Sequence, residues 1–185
     1  MNSEDLAISG IKKIVPKRLG DSRGYFSEIF KADWFRESVA DVLFVQDNES
    51  LSATPGTVRG LHFQSAPFAQ GKLVRCSRGA LLDVAVDIRR GSPTYGKWVA
   101  AHLSEENGEQ LWVPVGFAHG FITLQPHTVI SYKVTAPYSA EHDKGLRWND
   151  PAIGIEWPGA SDYILSEKDK KQPLLVELTE FFQYT

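Results

Sequence analysis

Cysteine is nearly missing from this sequence: Cys76 is the only one among 185 residues, so no internal disulfide can form. A lone cysteine fits a small buried hydrophobe in a reducing compartment, and the cytoplasm is the expected location. No run of about eighteen apolar residues is present, so no membrane-spanning helix is expected. The opening Met1-Asn2-Ser3-Glu4-Asp5 has neither the basic nor the apolar stretch of a secretory signal. Positive charge is not in excess. Twenty Lys and Arg stand against 23 Asp and Glu, and the net charge of −3 offers no electrostatic reason to expect nucleic acid as a partner. Repeats, linkers and low-complexity segments are lacking too, which predicts a single domain over residues 1–185, long enough to bury a real core.

The most telling shortage is of metal ligands. Pro114-Val115-Gly116-Phe117-Ala118-His119 is a Pro-x-Gly-x-x-His segment of the kind found in cupin barrels, where that histidine often binds a metal. The accompanying segment should supply His-x-His and then a carboxylate. Here Arg59-Gly60-Leu61-His62-Phe63-Gln64 has Gln64 at the second position, and Gly71-Lys72 takes the approximate place of the carboxylate. Imidazole and carboxylate bind transition metals, whereas an ammonium repels them. No metal is therefore expected, and the histidines are free for proton chemistry.

What is present is a two-residue rhythm in short runs. Leu82, Val84, Val86 and Ile88 alternate with Leu81, Asp83, Ala85 and Asp87, which predicts a strand with two distinct faces. Asp83 and Asp87 share a small, polar face and are expected to be solvent-facing or structural. Residues 128–135 place Ile130, Tyr132 and Val134 on one face. Residues 57–64, 72–77, 98–103 and 110–113 also read as strands, separated by Thr54-Pro55-Gly56, Arg78-Gly79, Gly91-Ser92-Pro93 and Glu106-Asn107-Gly108. Such a series predicts an antiparallel sandwich or barrel. Two helical segments are expected: residues 32–39, burying Trp34, Phe35 and Val39, and a turn capped by Ser166 with Asp169 at the third position.

Alternation puts Val58, Gly60, His62 and Gln64 on one face of their strand, opposite Arg59, Leu61 and Phe63. A bulge at Gly60 would upset that alternation for Arg59. Taken singly, His62 and His119 read as hydrogen-bonded core histidines, Tyr132 as a core filler with one hydrogen bond, and Lys72 as a rim residue or an anion partner. His102, His127 and His142 read as surface residues.

An ordered set of segments changes the weight of each. Gly20 to Glu28, Phe44 to Asn48, Arg59 to Gln64, Gln70 to Arg75, Asp83 to Arg89, Pro114 to Phe121 and Arg147 to Pro151 together resemble the dTDP-4-dehydrorhamnose 3,5-epimerases, from about residue 8 to 175. The resemblance implies a mainly β, antiparallel double-sheet jelly-roll (cupin) barrel with a few short helices. It also implies epimerisation at C3 and C5 of dTDP-4-keto-6-deoxy-D-glucose, in a cytoplasmic enzyme needing no cofactor. The C4 ketone acidifies both neighbouring C–H bonds, so the reaction needs a base, an enolate stabiliser and an acid on the opposite face. By resemblance His62 is the base and Asp169 its orienting carboxylate. Tyr132 is then the proton donor and Lys72 the positive charge beside the developing oxyanion. Arg23, Glu28, Gln46, Asn48, Arg59, His119, Tyr138, Asp143 and Lys168 match substrate-contact positions, Tyr138 as the ring that stacks on thymine. Family members are homodimers in which an N-terminal strand, here about residues 7–15, pairs with the partner's sheet. Two other readings remain open: a relative that inverts only C3 or only C5, and a sugar-binding barrel without catalysis.

Overall fold

A computed structural model describes residues 1–159 and 162–184. In chain order it contains β1 (Asn2–Asp5), β2 (Lys12–Val15), β3 (Arg18–Asp21), β4 (Gly24–Ser27), α1 (Ala32–Ser38), β5 (Gln46–Ser52), β6 (Val58–Gln64), β7 (Lys72–Arg78) and β8 (Ala80–Asp87). Then come β9 (Arg89–Arg90), β10 (Trp98–Ser104), β11 (Gln110–Val113), β12 (Phe117–Thr123), β13 (Thr128–Val134), β14 (Asp143–Gly145) and β15 (Phe182–Gln183). Single 3-10 turns lie at Asp169–Lys171 and Leu175–Glu177.

Two antiparallel sheets face each other. One has the order β1-β2-β11-β7-β13-β5, the other β10-β8-β12-β6-β14. From β5 to β8 and again from β10 to β14 successive strands alternate between the sheets, which makes the fold an antiparallel double-sheet jelly-roll barrel. Its central layer is apolar: Val74, Cys76, Leu111, Val113 and Ile130 from one sheet meet Leu81, Ala85, Leu103, Phe117 and Phe121 from the other. Each sheet also has a covered outer face. Helix α1 packs Phe35 against Ile14, Leu73 and Trp112, with Phe30 and Phe44 beside it. The chain after Gly145 lays Leu146, Ile153 and Leu178 over Leu61, Phe63, Val84, Val86 and Ala118.

That outer cover decides between the two alternatives expected for Asp83 and Asp87. Asp83 and Asp87 are not solvent-facing; both are fully buried. The alternation of β8 is real, but its valine face lies under the C-terminal segment, so the aspartate face turns inward between the sheets. A buried carboxylate must be paired. Asp87 receives hydrogen bonds from Arg89 Nε at 2.9 Å, Arg89 Nη2 at 2.8 Å, Ser92 Oγ at 2.6 Å and Thr94 Oγ1 at 2.7 Å. Burial pushes its carboxyl pKa up, but these donors more than reverse the effect and leave it below the ordinary value.

The N-terminal strand is shorter than residues 7–15. Ile8 and Ile11 enter the core around a turn at Gly10 (φ +95°), and only Lys12–Val15 is strand. It lies between β1 and β11, so the open edge on this side of the sheet belongs to β1. His142 is half-buried rather than at the surface: it receives or donates a 2.8 Å hydrogen bond with Ser139 and its ring packs on Phe68. His102 and His127 are exposed.

Candidate active site

The site begins with a glycine. Gly60 has φ +131°, and a Cβ there would lie 2.6 Å from Gly120 Cα and 2.9 Å from His119 O, so only glycine fits. β6 bulges at this point: His62 pairs with His119, but Arg59, three residues back, pairs with Phe121, two residues on. The extra residue turns Arg59 towards the same cavity as His62, as a bulge is expected to do. Arg59 is held there by hydrogen bonds to Ser52 Oγ (3.2 Å) and Leu51 O (3.1 Å).

Between the sheets lie two adjoining lobes of about 460 and 320 Å³ that share His62, Lys72 and Tyr132. Arg59, His119, Lys168 and Asp169 line the first lobe. Gln46, Asn48, Tyr138 and Asp143 line the second. His62 and His119 come from one sheet, and Lys72 and Tyr132 from the other.

The turn after Leu165 brings Asp169 to the mouth. Ser166 Oγ accepts the Asp169 N–H at 3.1 Å, the cap expected from sequence. The Asp169 carboxylate lies 2.5 Å from His62 Nε2. Burial raises the Asp169 pKa, but hydrogen bonds and charge at His62, with help from Ser166 and the Gly60 backbone, lower it further, and the group stays ionised. An ionised acceptor requires a proton on Nε2, which leaves the His62 lone pair on Nδ1.

Lys72 is ringed by protein atoms although it faces the open cavity. Burial lowers its pKa to about 8, while Asp143 and Asp83 pull it back up and Lys168 pushes it down. Burial raises the Tyr132 phenol, Arg59 opposes that shift, and Asp143 adds to it. Tyr132 therefore holds its proton well above neutral pH. Asp143 joins the rim: Lys168 Nζ lies 2.5 Å from its Oδ2, and Tyr138 donates its hydroxyl to the same oxygen at 3.2 Å.

Eleven of the thirteen residues chosen from sequence line the two lobes. Arg23 and Glu28 do not. They sit on or just after the β3–β4 hairpin, both exposed, and Arg23 pairs with Asp21 of the same hairpin at 2.5 Å. Sequence reasoning missed two participants. Asp83 accepts from His119 Nε2 at 2.5 Å, making a second histidine–carboxylate pair, and its Oδ2 is buried with no hydrogen-bond partner among the described residues. The only signal was a carboxylate in a run of apolar residues. The sequence marks Gln64 only as a missing ligand, yet its amide makes three hydrogen bonds to backbone in the cavity wall. Among the described residues no three His, Cys, Asp or Glu side chains cluster as a metal site would require.

A jelly-roll barrel with an oriented histidine on one wall, and a protonated phenol and an ammonium on the other, is built for moving protons on a bound substrate. The chain belongs to the dTDP-4-dehydrorhamnose 3,5-epimerase family, whose model matches residues 5–177. A relative of that name from Sinorhizobium fredii is 70% identical over 184 residues, covering 100% of this chain and 94% of the relative. The solved structure of a 3,5-epimerase from Legionella pneumophila, in complex with dTDP-4-keto-L-rhamnose, is 42% identical, with a TM-score of 0.95 over 100% of this chain and 98% of that one. A 3'-monoepimerase from Streptomyces bikiniensis, in complex with dTDP-quinovose, is 31% identical, with a TM-score of 0.86 over 92% of this chain and 86% of that one.

Proposed function

We propose that this protein converts dTDP-4-keto-6-deoxy-D-glucose to dTDP-4-keto-L-rhamnose by inverting C3 and C5, as a step in dTDP-L-rhamnose synthesis. The observation that carries the reading is the division of labour across the cavity. His62, oriented by Asp169 at 2.5 Å, faces Tyr132 and Lys72 on the opposite sheet.

His62 Nδ1 takes the proton from the carbon next to the C4 ketone, and the electron pair moves onto the C4 oxygen as an enolate. The Asp169 carboxylate holds the imidazolium that forms. The Lys72 ammonium faces the new oxyanion, a form of electrostatic help worth several kcal/mol in other enzymes. Tyr132 then delivers its proton to the opposite face of the carbon. The C4 carbonyl re-forms, and solvent exchange returns His62 and Tyr132 to their starting states. Each cycle is redox-neutral, so no redox cofactor is needed, and none of these steps calls for a metal. Arg59, His119 and Lys168 line the lobe suited to sugar and phosphate oxygens. Gln46, Asn48 and Tyr138 line the lobe suited to the nucleoside.

The test is incubation with the substrate in heavy water. Deuterium is expected at both C3 and C5; no label at either carbon defeats the proposal. Label at one carbon alone would establish the second reading, a single-centre epimerase, which the similarity to a 3'-monoepimerase keeps in view. Stoichiometric iron or zinc in active protein would sink the metal-free mechanism.

The working unit is proposed to be a homodimer. Arg23 and Glu28 match substrate-contact positions but lie outside their own chain's cavity, on a hairpin with Tyr25 and Phe26 60% and 70% exposed. A second copy would bury those rings and receive Arg23 and Glu28 at its own site. The open edge of β1 offers a further place for pairing between sheets. A purely monomeric, fully active protein in sedimentation would refute this. The cytoplasm, where the Cys76 thiol stays reduced, completes the proposal.

A further inference from the structure

We propose that Gln64, which occupies the place of a metal-binding histidine in other barrels of this type, is a positioning residue that sets Tyr138 for nucleotide binding. This rests on reading the smaller lobe as the nucleoside pocket.

Gln64 is only 4% exposed, two residues beyond His62 on β6. Its amide makes three hydrogen bonds, all to backbone. Nε2 donates to Phe68 O at 2.7 Å and to Pro137 O at 3.1 Å, and Oε1 accepts the Ser139 N–H at 2.8 Å. Both donors and one lone pair are thereby used on the two loops that flank the lobe, 65–71 and 135–142. A second glutamine completes the grip: Gln46 Oε1 accepts the Tyr138 N–H at 3.1 Å. Pro137 O, Tyr138 N and Ser139 N belong to two successive peptide groups of one loop, and each is bound by a glutamine amide. The peptide planes on either side of Tyr138 are therefore held by glutamine side chains.

The Tyr138 ring itself is 60% exposed, and among the described residues its hydroxyl bonds to Asp143 at 3.2 Å. An exposed ring on a loose loop loses conformational freedom on stacking, which weakens binding; a ring on a backbone already fixed loses less. Gln64 thus acts on affinity through Tyr138 rather than by touching the ligand. An imidazole at position 64 could not make three bonds of this geometry, so the residue that displaced a metal ligand took on a different task.

The experiment is a double-mutant cycle read by dTDP binding in calorimetry, with steady-state kinetics alongside. Gln64→Leu should weaken dTDP about tenfold and raise KM similarly, with kcat falling less than about threefold. Tyr138→Ala alone should weaken dTDP about tenfold or more, as loss of base stacking does. In the Tyr138→Ala background, Gln64→Leu should then change affinity less than about twofold, because the group it acts through is gone. Additive losses would overturn the inference, since a merely structural glutamine lowers affinity equally in either background. Gln64→Glu carries the same cycle should the leucine variant not fold: it keeps the acceptor for Ser139 but sets an oxygen against two carbonyls. Failure of both variants to fold would make the amide a folding determinant and also overturn the inference. A folded parent that does not bind dTDP would defeat the nucleoside-pocket reading itself, a result distinct from binding with additive losses.

Discussion

Raising the pH above neutral should titrate Lys72 before Tyr132. Burial lowers its ammonium pKa to about 8, against the pull of Asp143 and Asp83. Tyr132 moves the other way, its phenol raised by burial, so it keeps its proton over the same range. With a pKa of about 8, the charged fraction of Lys72 falls from about nine-tenths at pH 7 to about one-tenth at pH 9. If that charge stabilises the enolate, kcat/KM should drop about tenfold per unit once the pH passes 8 to 9, because kcat/KM reports the free enzyme. The substrate's diphosphate favours the ammonium, so kcat should begin its fall at higher pH. Lys72→Arg keeps a charge throughout; its rate should be lower, since a planar guanidinium does not replace an ammonium, but its alkaline limb should disappear. The assay is initial deuterium wash-in at C3 and C5 by NMR, from pH 6 to 10 at fixed ionic strength. A parent profile flat to pH 10, or an arginine variant that keeps the limb, would refute the role. The same shift acts on stability. Between pH 8 and 10.5 the unfolded chain binds the extra proton, so Lys72 opposes folding below pH 8 and that opposition is relieved as the pH climbs towards 10.5. The penalty is at most about 3 kcal/mol, reduced by water at the open mouth. Lys72→Met should therefore raise the urea midpoint at pH 7 while abolishing turnover, and a lowered midpoint would contradict the reasoning.

Three further substitutions test the rest of the site. Asp169→Asn preserves shape but removes the charge that holds the Nε2 proton on His62, so wash-in at both carbons should fall about 10²- to 10⁴-fold, with fold retained by circular dichroism. Tyr132→Phe should spare the first proton abstraction more than completed inversion, so label entry should outlast product formation; equal losses would argue against the donor role. Gly60→Ala sets a methyl against Gly120 Cα and His119 O at positive φ, which should destabilise by about 2–5 kcal/mol in chemical denaturation and displace both histidines. An unchanged denaturation midpoint would remove the bulge from the account.

Much of the fold is legible in the sequence. Strands β6, β7, β10 and β11 lie within a residue of the alternating runs that predict them, and α1 ends one residue early. Among the strands the alternation does not predict, β5 and β12 help to build the site. β5 reads Gln-Asp-Asn-Glu-Ser-Leu-Ser because its inward face supplies Gln46 and Asn48 to the cavity rather than apolar groups to the core. β12 has no solvated face at all, so its seven residues carry no polar–apolar rhythm. The Asp83–His119 pair was hidden for a related reason: a period of two separates the faces of a strand but cannot say which one meets water.

The sequence by itself determined the class of fold, the family and the chemical character of His62, Tyr132, Lys72 and Asp169. Those follow from local patterning and from residue types in a fixed order. Tertiary structure alone decided how they act together. It joined residues 62 and 169, turned Asp83 and Asp87 inward under a C-terminal cover, and lowered Lys72 by enclosing it. It also converted Gln64 from an absent ligand into a clasp on two loops, and left Arg23 and Glu28 outside their own cavity. Contacts across a hundred residues, and the desolvation they bring, depend on how the sheets close, which no short stretch of chain encodes.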